Sequence, residues 1–158
     1  MPSFKGVSHV SLSVTDLDQS EAFYTQVLGF MLLMDFGDIR TLLHRSTSFQ
    51  IALIRHPEGT GRTFTELNAG LDHLGLIAET RAELEEWVTK FDEAEVSYTP
   101  IQDMPFGAHL NFRDPDGIPL EFFVPNDIVT AGYRELRERD VPREEIIHRV
   151  QEALEGSA

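Results

Sequence analysis

The chain has 158 residues, 41% of them hydrophobic and 25% charged, which suits one compact domain with a sizeable core and excludes a low-complexity or fibrous protein. Its 27 acidic against 13 basic side chains give a formal net charge of −14. That balance argues against nucleic acid or an anionic membrane as partner, because both require concentrated Lys and Arg. The absence of cysteine excludes disulfides, iron–sulfur clusters and thiolate zinc sites, so any metal must be held by His, Asp or Glu. With no apolar run long enough to span a bilayer and no basic-then-apolar opening, the expectation is a cytoplasmic protein that does not enter membranes.

Residues 6–14 alternate: Val10, Leu12 and Val14 share one face of a strand, His9, Ser11 and Ser13 the other. Thr15-Asp16-Leu17-Asp18 offers a helix N-cap with acids in the first turn, and the helix is expected to run to Leu28 and stop at Gly29, a residue suited to a left-handed cap. Strands are predicted over residues 30–36, 39–44 and 49–55, separated by the turn sequences Gly37-Asp38 and Arg45-Ser46-Thr47-Ser48. This first module spans about residues 6–56. A linker rich in turn formers, residues 57–69, follows; its Gly59-Thr60-Gly61-Arg62-Thr63 lacks the Lys and the spacer of a phosphate loop.

The second module, about residues 70–125, repeats the plan. Its first strand, residues 71–78, carries His73, and a helix opens at Thr80 with Glu83 at capping-box spacing. Leu84, Trp87, Val88 and Phe91 form one helical stripe, which makes Trp87 a core residue rather than a cofactor platform. Strands are predicted over residues 96–99, 108–112 and 118–124, the last two joined by the turn Asp114-Pro115-Asp116-Gly117. A single offset superimposes Gly6 on Gly70, His9 on His73, Val10 on Leu74, Leu12 on Leu76 and Phe23 on Trp87, so the chain reads as a duplicated strand–helix–three-strand unit. Residues 1–126 then make one domain. Residues 127–158 form a charged helical extension, broken near Asp140-Val141-Pro142, whose stripe of Ile146, Ile147, Val150 and Leu154 must bury on the body or on a partner subunit.

In the last strand Glu121 alternates with Leu120 and Phe122 and so faces away from the helix, as His9 and His73 do. Two imidazoles and one carboxylate on one face of a curved sheet make the facial triad that suits a divalent first-row metal with open coordination positions. His109 and His56 share strand parity with residues of that face and are candidate general acids or bases. His44 and His148 are given no role.

Val14-Thr15-Asp16-Leu17, Ala22-Phe23-Tyr24, Val27-Leu28-Gly29-Phe30, Phe112-Arg113-Asp114-Pro115-Asp116-Gly117 and Leu120-Glu121-Phe122 resemble the vicinal oxygen chelate superfamily of glyoxalases, extradiol dioxygenases and bleomycin- or fosfomycin-resistance proteins. The resemblance covers about residues 6–124. It implies an α+β fold of two pseudo-symmetric βαβββ modules forming a curved-sheet metal-binding cup, with His9, His73 and Glu121 at three of the usual ligand positions. By internal symmetry the fourth position is Ala52, which cannot coordinate a metal; that counts against a glyoxalase, which generally places Glu there, and towards the three-ligand dioxygenases. The acid–base His and Tyr of the dioxygenases are not matched, since Phe49-Gln50 and Asn111 stand near those positions. What the resemblance implies is a divalent-metal enzyme acting on a small oxygenated substrate and leaning to dioxygenase chemistry, with Fe2+ favoured over Zn2+, Ni2+ or Mn2+. A glyoxalase-like isomerase or lyase and a metal-free protein binding an antibiotic are the alternatives. It further implies a homodimer, with modules paired within one chain or between two.

Overall fold

A computed structural model describes residues 6–155. The first half folds as β1 (His9–Ser13), α1 (Leu17–Ala22) running on into a π-helical segment (Phe23–Val27), β2 (Met31–Asp35), β3 (Ile39–His44) and β4 (Phe49–Ile54). The second half folds as β5 (Leu74–Ile77), α2 (Arg81–Glu93), β6 (Gln102–Met104), β7 (Gly107–Arg113) and β8 (Pro119–Pro125), followed by α3 (Asp127–Glu138) and α4 (Arg143–Glu155). Two four-stranded sheets result, with orders β1-β4-β3-β2 and β5-β8-β7-β6. Their winding is the same, and in each the first strand runs parallel to the last. This is the α+β arrangement of two βαβββ modules read from the sequence. Two compact units form: one runs through Asp72 and takes in Ala94–Val96 and Arg113–Pro119, the other holds His73–Glu93, Ser97–Phe112 and the chain from Leu120 onward.

In the first unit, the alternation of β1 is realised in its burial: Leu12 is buried while His9, Ser11 and Ser13 are exposed. Asp16 caps α1, its Oδ1 accepting from the amides of Asp18 at 2.9 Å and Gln19 at 3.0 Å, which satisfies two of the donors every helix start leaves open. The helix does not stay α-helical to Leu28. Its last turn widens, with Leu28 N donating to Phe23 O, and this swings Phe23, Tyr24 and Phe30 into the core, where Tyr24 meets both rings edge-on. Gly29, at φ +78°, makes the left-handed stop expected of it. Leu42, Ile51 and Leu53 complete this core with essentially no exposure; each such side chain contributes about 1.5–3 kcal/mol on leaving water.

The turn between β7 and β8 belongs to the same unit. Asp116 accepts from the Thr15 amide through both oxygens and from Thr15 Oγ1 at 2.6 Å. The buried Asp114 accepts from the Tyr24 hydroxyl at 3.0 Å and from the amides of Asp116 and Ile118. Residues of the sequence-predicted linker dock on this turn: Phe64 N donates to Asp116 O at 2.8 Å, and Glu66 pairs with Arg113 at 2.6 Å.

In the second unit Thr80 and Glu83 cap α2 as their spacing predicts, except that the Glu83 carboxylate reaches the amide of Glu79 at 2.7 Å. Trp87 stacks on Phe122 at 4.6 Å and Phe91 packs on Phe112 at 4.7 Å, so the aromatic stripe of α2 is core. One predicted strand is displaced. Residues 96–99 contribute a single bridge, Tyr98 to Phe112, and the strand proper is β6, pairing Gln102 with His109. Pro100 lies between them and has no amide to donate, so the ladder breaks there and resumes shifted by one residue. The extension forms two helices broken where expected, but the stripe on α4 is only half covered: Val150 is 47% and Leu154 40% exposed. Among the described residues, no helix is long and apolar enough to cross a membrane.

Candidate functional site

The sheet face of the first unit that its helix leaves uncovered carries His9, Ser11 and Ser13 of β1. The ladder sets Gln50, Ala52 and Ile54 of β4 beside them, and Thr41 of β3 flanks Ala52 from the other side. His9 Nδ1 shares a 2.9 Å hydrogen bond with Ser8 Oγ. That contact engages Nδ1 and orients the ring. His56, just past β4, places Nε2 3.1 Å from Ser13 Oγ; its role in the structure is to hold that serine.

In the second unit the equivalent face carries Gly75 of β5, Glu121 and Phe123 of β8 and His109 of β7; the first strand is shorter than expected, so His73 directly precedes it and lies outside the ladder. Register sets Gly75 opposite Glu121, just as Ser11 stands opposite Ala52; the symmetry that names Ala52 as the counterpart of Glu121 is thus present in the hydrogen-bond ladder. His109 and Glu121 are brought together, His109 Nδ1 donating to Glu121 Oε2 at 2.8 Å, with side chains 22% and 14% exposed. A carboxylate only accepts, so this contact fixes the Nδ1–H tautomer and leaves Nε2 with its lone pair available as a base. The second oxygen, Oε1, sits over Gly75, where a built Cβ would come within 3.7 Å of it. A side chain there would stand in ordinary contact with that oxygen, and glycine supplies none. The Phe123 ring packs on His109 at 4.7 Å, restricting the imidazole further.

The place of Gly75 beside Glu121 is the feature that sequence reading passed over; its signal was a glycine inside an otherwise alternating strand. The buried Tyr24–Asp114 pair was also hidden, because Asp114-Pro115-Asp116-Gly117 reads as a turn and nothing more. Burial pushes the Asp114 carboxyl up to about 6, outweighing the amide of Ile118 and the Tyr24 hydroxyl that favour its charge. Burial, with Asp114 beside it, likewise raises the Tyr24 hydroxyl well above its ordinary value.

His9 stands on the exposed face of β1 in one unit, and Glu121 stands on β8 of the other, with His73 just ahead of β5. Imidazole nitrogen and carboxylate oxygen are donor types that a divalent first-row ion takes. Among the described residues no group of three or more His, Asp or Glu side chains is gathered at metal-holding distance.

Duplicated βαβββ modules, each a four-stranded sheet whose first strand runs parallel to its last, define a class of α+β proteins. The chain belongs to the glyoxalase/bleomycin resistance protein/dioxygenase superfamily, whose model matches residues 6–122. It is similar to a glyoxylase/bleomycin resistance protein/dioxygenase domain from Frankia sp. EAN1pec, with 37% identity and a TM-score of 0.73 over 78% of this chain and 100% of that one. The uncharacterized protein YwkD of Bacillus subtilis is 30% identical over 75% of this chain and 96% of its own length. A fosfomycin resistance protein, FosX, from Listeria monocytogenes, solved with Mn(II) and sulfate, shares the fold at 18% identity and a TM-score of 0.62, covering 79% of this chain and 94% of that one.

Proposed function

We propose that the protein is a divalent-metal-dependent enzyme of this superfamily that acts on a small oxygenated substrate, with His9, His73 and Glu121 as the metal ligands and His109 as the acid–base residue. The observation that carries the reading is the His109–Glu121 pair beside Gly75: one carboxylate oxygen orients a base while the other stands beside a residue that has no side chain. When bound, the ion would supply Lewis-acid polarisation of two substrate oxygens and, as iron(II), redox capacity towards O2. His109 Nε2 takes or returns a proton on the substrate, Glu121 and Phe123 keep its ring in one orientation, and Ser11 and Ser13 offer hydroxyls to polar substituents. His56 has the lesser part of positioning Ser13. Three ligands, with Ala52 in the fourth place, leave positions for a chelating substrate and favour dioxygenase chemistry with iron. The protein is proposed to work as a cytoplasmic homodimer, the ligand set completed within one chain or across the pair.

Elemental analysis of protein purified without chelator, alongside His9→Ala and Glu121→Ala, tests the assignment. Near-stoichiometric iron, lost in both variants, is expected, with oxygen uptake on catechol-like substrates that a chelator abolishes. Zinc, nickel or manganese in its place would redirect the reading to isomerase or lyase chemistry. Unchanged metal content in Glu121→Ala would sink the ligand assignment. His109→Ala should keep the metal and lose turnover together with the limb of the pH–rate profile that reports the base.

A further inference from the structure

The helical extension, which lies outside the family match ending at residue 122, helps to line an open cavity of about 850 Å3 within the second unit. That volume falls in the range of about 300–1,000 Å3 that small-molecule sites occupy. Its walls are apolar: Phe106 and Phe123 from the sheet side, Val129 and Leu136 from α3, Ile146 and Val150 from α4. Leu136 and Val150 remain 46% and 47% exposed, so these helices leave part of their apolar faces uncovered around a concave space.

The charged and amide side chains that line the cavity each have a partner, and Arg149 and Glu135 are partners within the lining itself. Asn126 donates to Pro105 O and accepts from the Val129 amide, Arg149 pairs with Glu135, and Glu152 pairs with His148 at 3.2 Å. A ligand in this space therefore meets a wall that recognises shape and apolar surface, and finds no counter-ion waiting for it. The cavity borders the candidate site at one side chain: the Phe123 ring that lines it packs on His109. Gly107 makes that ring position possible: at φ +150°, a built Cβ there would stand 2.8 Å from the Phe123 ring.

We propose that the C-terminal extension forms a binding pocket for the uncharged apolar part of a small molecule, an alkyl chain or an unsubstituted ring, whose polar end lies towards His109 and Glu121. Identifying that molecule as the substrate rests on the metal-dependent reading above; the pocket itself does not. The extension would then set the apolar specificity of an enzyme whose family core supplies the chemistry.

Gly132 supplies the test. It lines the cavity, lies inside α3, and a Cβ built on it meets no heavy atom within 4 Å, so Gly132→Phe fills the space without a backbone clash and with better helix propensity. Nile red, a neutral apolar dye, is titrated into the full chain by fluorescence, with circular dichroism and sedimentation velocity run on each variant. The wild type is expected to bind one dye per chain and Gly132→Phe to bind at least tenfold more weakly, with unchanged helicity and assembly, while Gly132→Ala binds as the wild type does. Absence of stoichiometric dye binding, undiminished binding by Gly132→Phe, or a change of assembly in that variant, which would mark the cavity as an interface between copies, each overturns the proposal. The two readings fail separately. Metal retained by Glu121→Ala removes the ligand assignment and leaves the pocket standing, whereas dye retained by Gly132→Phe removes the pocket and leaves the ligands.

Discussion

Replacing Asp114 by Asn should flatten the acid side of the stability profile. The carboxyl is 5% exposed, and burial raises it from 3.8 to about 6. A group raised in the folded state binds protons more tightly there than in the unfolded chain, so its contribution to stability is present below about 4 and is lost as pH rises through about 6. A shift of about two units at 1.36 kcal/mol each sets a ceiling of about 3 kcal/mol. Asparagine keeps Oδ1 as acceptor for the amides of Asp116 and Ile118, and its amide can donate to the Tyr24 oxygen, so the variant removes the titration and spares the packing. Urea unfolding of both proteins from pH 4 to 7.5 gives the difference in stability at each pH, in which all other carboxylates cancel. That difference should move in favour of the wild type as pH falls, by up to about 3 kcal/mol. A flat difference, or one that moves the other way, would refute the argument by placing the folded carboxyl at or below its ordinary value. Tyr24→Phe serves as the companion: loss of a donor to the carboxylate raises the group further and carries the window to higher pH.

Ser20 is fully buried, and among the described residues its Oγ has no hydrogen-bond partner; Ser20→Ala should leave stability unchanged or raise it by up to about 1 kcal/mol in the same urea assay. Gly107→Ala places a Cβ 2.0 Å from the Val124 carbonyl oxygen at a φ of +150°, so a loss of about 3 kcal/mol or more, or failure to accumulate as folded protein, is expected. A variant that unfolds at the wild-type urea midpoint would show that the approach of β7 to β8 there is less tight than it stands.

The sequence carries the fold because the same physical signals occur twice. An alternating strand, a capped helix and turn residues at matched offsets specify each module locally, and the helices and hairpins appear within a residue or two of where periodicity puts them. What fails is local where it fails. The β-branched, aromatic stretch at residues 96–99 has the composition of a strand, yet its neighbour Pro100 cannot join a ladder, and pairing passes to Gln102–Met104, which lacks the alternating apolar pattern of a strand. The widened turn at Phe23–Val27 is a tertiary effect, set by where three aromatic rings must meet. Of the site, parity expects His9, Glu121 and His109 on the uncovered faces, while His73 stands just ahead of β5, outside the ladder that would fix its parity. Which of them touch is a matter of side-chain reach, and the 2.8 Å contact between His109 and Glu121 needed coordinates.

The two halves share a backbone and differ in what they put at one register position. Opposite Gly75 the chain sets Glu121; opposite Ser11 it sets Ala52. Both pairs are small enough on one side to keep the sheet face open, so the geometry of a donor site survives in each half while the carboxylate survives in only one. A face carrying His9 between small residues can complete a ligand set but cannot make one, and in the proposed set it is the second half that supplies two donors and the base. The burden of packing is placed elsewhere, on the Trp87 stripe in one unit and the Tyr24–Asp114 cluster in the other. Substitutions on the uncovered faces should therefore change chemistry at small cost to the fold, and substitutions in those clusters the reverse, a separation that lets one duplicated scaffold host different reactions.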